Sequence, residues 1–90
     1  MTALSADPSE KVRVAAAGAL SSFEGSEVAM NSLVRALDDT AEEVRISAAS
    51  SLGYLGHLSA IPRLRLALED RAARVRDAAE YALEQLQQPR

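Results

Sequence analysis

The dipeptide Val-Arg occurs three times in this chain, at Val12-Arg13, Val44-Arg45 and Val75-Arg76, with spacings of 32 and 31 residues. Each copy carries an Asp five residues before the Val (Asp7, Asp39, Asp70), an Ala four after it (Ala16, Ala48, Ala79) and a Leu eight after it (Leu20, Leu52, Leu83). Self-similarity at a fixed period of this length marks a stack of short units. One such unit cannot bury its apolar face alone, so neighbours must cover it. A stack of this kind presents long continuous faces, which directs function toward surface recognition rather than toward chemistry.

Placed on a wheel of 100° per residue, Val12, Ala16, Ala19, Leu20 and Phe23 fall in one stripe, as in an amphipathic helix. The same offsets give Val44, Ala48, Ser51, Leu52 and Leu55, then Val75, Ala79, Ala82, Leu83 and Leu86. These predict three A helices, roughly 10–23, 42–55 and 73–87. Asp7-Pro8 precedes the first, Thr40 and Glu43 have capping-box spacing before the second, and Asp70 is placed to cap the third. Gly25 and Gly56 follow the first two stripes, where a left-handed residue often ends a helix.

Shorter apolar patterns lie between. Met30, Leu33 and Leu37 recur 31 residues later as Ile61, Leu64 and Leu68, which predicts two B helices, roughly 27–38 and 59–69. Pro62 falls in a first helical turn, where its missing N–H does little harm. The expected fold is all-α: an α-solenoid of antiparallel helix pairs, five helices in about two and a half repeats (7–38, 39–69 and 70–88), forming a single domain over 1–90.

Ala and Leu supply 30 of the 90 residues, while Trp is absent and Phe occurs once, a core suited to closely approaching helices. There is no cysteine, hence no disulfide, thiolate zinc site or cysteine nucleophile. No apolar run approaches about 18 residues and no signal-peptide pattern is present, so a soluble cytoplasmic protein without membrane contact is expected. The net charge of −3 argues against nucleic acid as a partner. It is unevenly spread. Residues 24–43 carry six acidic groups against Arg35, and residues 61–76 carry five Arg against Glu69 and Asp70, as in a polarised partner surface or a head-to-tail association of like chains.

The pattern D-x4-V-R-x2-A-A-x2-L-G-x-L-G stands complete as Asp39, Val44-Arg45, Ala48-Ala49, Leu52-Gly53 and Leu55-Gly56. It resembles the short HEAT-like repeat of the phycobilisome-lyase type, and the resemblance covers nearly the whole chain. It implies a superhelix with A helices on the convex side and B helices on the concave side. It also implies a hydrogen-bonded ladder between adjacent repeats, formed by Asp7, Asp39 and Asp70 with Arg13, Arg45 and Arg76. Relatives of this type include bilin lyases, phycobilisome-degradation factors, an iron-dependent deoxyhypusine hydroxylase, DNA-glycosylase relatives and plain scaffolds. The hydroxylase holds iron with paired His-Glu motifs, whereas the single histidine here, His57, is followed by Leu58. No glycine-rich phosphate loop or Gly-x-Ser-x-Gly elbow occurs. Neither a catalytic residue, a metal nor a cofactor is therefore expected.

Two surfaces are candidates for a partner. On the B helices, Val28, Arg35, Arg63 and Leu66 stand opposite the core stripe, with Leu66 replacing the Arg35 of the preceding repeat. On the A helices, the side opposite the stripe carries Val14, Ala17, Gly18 and Ser21, then Ile46, Ala49, Ser50 and Gly53; the third copy has Asp77, Glu80, Tyr81 and Glu84. That smooth strip, led by Val14 and Ile46, is expected to receive a second protomer or another polypeptide. Arg65 replaces Val34 at an equivalent place, as a terminal repeat requires, whereas Met1–Ala6 is too short to cap the first A helix; a natural C-terminus and a piece of a longer solenoid are both consistent with this. The function expected is a non-enzymatic module binding another protein. The alternatives are a subunit or C-terminal fragment of a bilin-lyase-like or phycobilisome-associated assembly and, last, a nucleic-acid-binding module.

Overall fold

The computed structural model describes residues 9–19, 27–56 and 58–87. Asp7, Leu20, Phe23, Gly25, His57 and the end of the first predicted A helix lie outside them. Among the described residues five α-helices form: α1 (Glu10–Ala19), α2 (Glu27–Ala36), α3 (Glu42–Leu55), α4 (Ile61–Ala67), entered through a 3-10 turn at Leu58–Ala60, and α5 (Ala73–Gln87). No strand occurs among the described residues. The A helices α1, α3 and α5 pack side by side with α3 in the middle, while α2 lies against α3 and α4 against α5. The result is a slab of 38 × 29 × 16 Å.

Each element follows from its local chemistry. The B helices stop short of the predicted 38 and 69. Their last N–H groups turn to i−3 acceptors, Asp38 to Arg35 and Asp39 to Ala36, then Glu69 to Leu66 and Asp70 to Ala67. These tightened turns release the chain at an Asp. The Asp then sets up the next helix: Ala41 N–H donates to Asp39 Oδ1 and Ala72 N–H to Asp70 Oδ1, both at 2.9 Å. The predicted capping box of Thr40 with Glu43 does not form. Ala41 holds the cap position without a side-chain bond, and the Asp39 carboxylate has already satisfied the N–H there. Asp70 acts three residues before its helix starts at Ala73, in the same kind of Asx turn. Gly56 ends α3 in the left-handed conformation, φ 74°, with its N–H on the carbonyl of Leu52.

Leu33, Leu52, Leu64, Val44 and Val75 are fully buried and centre the core, where each contributes on the order of 1.5–3 kcal/mol. Helix α3 is enclosed on several sides: Val44, Arg45, Ala48, Ala49, Ser51, Leu52 and Gly53 are all buried. The first stripe departs from expectation. Val12 is 44 % exposed and Ala19 is exposed, whereas their counterparts Val44, Ser51, Val75 and Ala82 are buried. Among the described residues no helix precedes α1 to cover that side.

Candidate functional site

The joints between repeats come first, because they position everything on the surface. Arg13 donates from Nε to Asp39 Oδ2 at 3.0 Å and from Nη2 to Oδ1 at 3.2 Å. One repeat on, Arg45 makes the same two bonds to Asp70, at 3.0 and 3.2 Å. Arg45 Nη1 also donates to the carbonyls of Asp39 and Thr40, and Arg76 Nη1 donates to the carbonyl of Asp70 at 2.7 Å. Each Asp thus fixes its own turn and accepts the fork of the preceding repeat's Arg. Arg suits this place because its planar guanidinium offers two parallel donors. Burial pushes the Asp70 carboxyl up, but the N–H of Ala72 and the Arg45 guanidinium outweigh it and Arg71 adds to them, so its pKa lies below the ordinary carboxylate value. Asp39 and Asp70 are thereby committed to Arg13 and Arg45 at the joints between repeats.

The remaining ion pairs change the meaning of the charge asymmetry. Arg63 Nη2 donates to Asp38 Oδ2 at 2.9 Å, and Arg74 Nη1 to Glu43 Oε2 at 2.6 Å with Glu42 at 3.7 Å. Two of the five arginines in the basic segment therefore answer the acidic segment within one molecule.

On the B side, Val28 is 77 % and Leu66 67 % exposed. Leu66 lies over a shallow depression of about 100 Å³ shared with Leu37, Asp38, Arg63, Ala67 and Asp70. Arg63 is half-buried there, and its Nε is enclosed without an acceptor among the described residues. Arg35 is exposed and makes no ion pair among the described residues. Arg65 is exposed where Val34 is half-covered.

The A-helix strip is largely occupied by the molecule itself. Ala17 and Ala49 are fully buried and Gly53 is buried; Val14 is half-covered against the core, and Ile46 is half-buried. What lies on the first helix of this strip is the next A helix. Ser47 Oγ donates to the carbonyl of Val14 at 3.4 Å and Ser51 Oγ to that of Ala17 at 3.1 Å. At α3, a Cβ built on Gly53 would stand 2.8 Å from Ala82 Cα on α5. Of the small residues on this side, Ala17, Ala49 and Gly53 lie in the seams between A helices, where a second flank of a helix is buried as well as its core stripe, whereas Gly18 and Ser50 stay exposed. The repeat pattern does not single out Tyr54, and it marks Tyr81 only as part of the charged end. Both are exposed, and both line a groove of about 400 Å³ whose floor includes Gly18, Ser50 and Ser51. A comparison of position six in the three copies, Gly18, Ser50 and Tyr81, is the signal that locates it.

The family described as HEAT repeats matches residues 1–89 of the chain. It is a HEAT-repeat protein. No curated protein matches it.

As a HEAT-repeat protein it owes its surfaces to the joints described above rather than to any single loop. Among the described residues no group of three or more His, Cys, Asp or Glu side chains converges as a metal site would require. No helix among them is long and apolar enough to cross a membrane. The HEAT-repeat frame supplies rigid helix faces, and the side chains free to act on those faces are the exposed apolar, aromatic and arginine residues.

Proposed function

We propose that this HEAT-repeat protein is a non-enzymatic interaction module that holds a partner protein on its B-helix side, around Val28, Arg35, Arg63 and Leu66. The observation that carries the reading is Leu66, 67 % exposed over a depression whose wall contains a half-buried arginine. An exposed leucine beside an arginine already held by Asp38 gives a partner an apolar contact and a pre-positioned cation, so little ordering cost remains on binding. Val28 and Arg35 extend that contact onto α2. The Asp-Arg ladder keeps α2 and α4 in fixed relation through the turns that follow them.

The pattern over Asp39–Gly56 further supports placement in the phycobilisome-lyase branch of these repeats, with work in the cytoplasm. The test compares affinity capture by the full chain with capture by Leu66→Glu and Arg63→Glu variants, followed by mass spectrometry. The reading expects one protein retained by the parent chain and lost from both variants while helical circular dichroism is unchanged. Equal retention by all three ends it. A visible absorbance change on mixing with a bilin would move the reading to a lyase-type assembly.

A further inference from the structure

We infer that the groove between the A helices, walled by Tyr54 and Tyr81, receives a lysine- or arginine-bearing segment of a partner protein. This surface lies apart from the B-helix face and does not depend on it. Tyr54 is 63 % and Tyr81 62 % exposed, and the chain contains no other tyrosine and no tryptophan. Both stand mostly outside the core, and both line one groove of about 400 Å³.

The repeat register explains the shape. Position six after the Val is Gly18, then Ser50, then Tyr81. Two small residues leave a trough across α1 and α3, and the third copy closes it with a ring. Tyr54 rises from α3, next to Gly53, where the close approach to Ala82 draws α3 and α5 together. A backbone can settle on the Gly18–Ser50 floor, with the Ser50 hydroxyl available to it, while a side chain enters between the two rings.

Charge selects the occupant. Asp77 and Glu84, four residues before and three after Tyr81, share its face of α5, are exposed, and make no ion pair among the described residues. The nearby cation Arg74 is held by Glu42 and Glu43. Tyrosine rings attract a cation to their faces, and unpaired carboxylates beside them reinforce that preference and steer its approach. A second copy of the chain fits poorly. It carries −3, and four of its Arg residues (13, 45, 63 and 74) are already ion-paired.

The two tyrosines make the groove its own reporter. Titrating the full chain with a short peptide of alternating Arg and Ala should give a saturable change in tyrosine emission that weakens as salt is raised. The matching Glu-Ala peptide should give none. By calorimetry, Tyr81→Ala should weaken binding about three- to fivefold. Asp77→Asn combined with Glu84→Gln, both exposed, should weaken it comparably, and Leu66→Glu should leave it unchanged. Emission that stays constant, that responds equally to the Glu-Ala peptide, or that changes with protein concentration alone overturns the inference; the last outcome would give the groove to a second copy. Binding unaffected by the Asp77/Glu84 double variant overturns it as well, whatever the fate of Tyr81→Ala.

Discussion

Gly53 on α3 and Ala82 on α5 touch backbone to backbone: a Cβ at position 53 would meet the Cα and Cβ of Ala82 at 2.8 Å and Gln85 Oε1 at 2.7 Å. The Gln85 side chain can swing aside, but the Ala82 Cα belongs to a helix main chain that cannot. The ordinary gain from replacing a helical glycine with alanine, about 0.5–1 kcal/mol, is therefore outweighed by overpacking of about 1–3 kcal/mol. Gly18 is the internal control. It also lies inside a helix, but among the described residues a Cβ there meets nothing within 4 Å. Urea denaturation should show Gly53→Ala less stable and Gly18→Ala more stable than the parent chain. The same sign for both would contradict the seam geometry.

The Arg45–Asp70 rung lies deeper than any other ion pair among the described residues, with side chains only 4 % and 11 % exposed. Removing one member strands the other away from water, which costs about 3–5 kcal/mol. Arg45→Ala should therefore lower the denaturation midpoint far more than Arg74→Ala, whose side chain is 66 % exposed and whose pairs to Glu42 and Glu43 are worth about 0–1 kcal/mol. Arg45→Lys should recover only part of the loss, because an ammonium cannot reproduce the paired Nε and Nη2 bonds.

Acid should act through the same rung. The folded pKa of Asp70 lies below its ordinary value, so as pH falls the unfolded chain takes up this proton first. The stability it contributes is complete above the ordinary carboxylate pKa, about 3.9, and is lost as pH falls through the lower folded value. Thermal midpoints measured from neutral pH down to about pH 2 should decline below the carboxylate range, and Asp70→Asn should flatten part of that decline. An unchanged slope in the variant would assign the acid sensitivity to other carboxylates.

Leu64 and Leu66 are two residues apart on α4 and differ entirely in surroundings, fully buried against 67 % exposed. Leu64→Ala should cost about 2–5 kcal/mol and Leu66→Ala no more than about 0.5 kcal/mol. Comparable losses in chemical denaturation would place Leu66 in the core and remove it from the proposed partner surface.

Much of this architecture is readable from periodicity. The predicted spans 42–55 and 73–87 coincide with α3 and α5, because long helices with a repeated stripe give an unambiguous period. The B helices are shorter than predicted because their last residues keep an apolar pattern while their hydrogen bonds have already tightened toward Asp39 and Asp70. Part of the A-helix side opposite the core stripe is buried for a physical reason. A wheel identifies one buried stripe, but a helix in the middle of a row also buries its flanks, and those flanks need small residues rather than large apolar ones. Ala17, Ala49 and Gly53 carry no periodic apolar signal of that kind, so only the neighbouring helix reveals what they do. The Arg63–Asp38 and Arg74–Glu43 pairs escape a one-dimensional reading for a related reason. Their partners lie 25 and 31 residues apart, and counting charge by segment cannot show that the segments meet.

The two seams in the A row are built from different materials. The α1–α3 seam is fastened by serine hydroxyls on the carbonyls of Val14 and Ala17, and the α3–α5 seam by glycine laid on alanine. The repeats are consequently not interchangeable tiles. Exchanging the second and third would set Glu84 in the place of Gly53, against a helix with no room for it. Order along this chain is thus enforced by steric fit at each boundary, and lengthening it by duplicating one unit would create a joint that neither existing seam provides for.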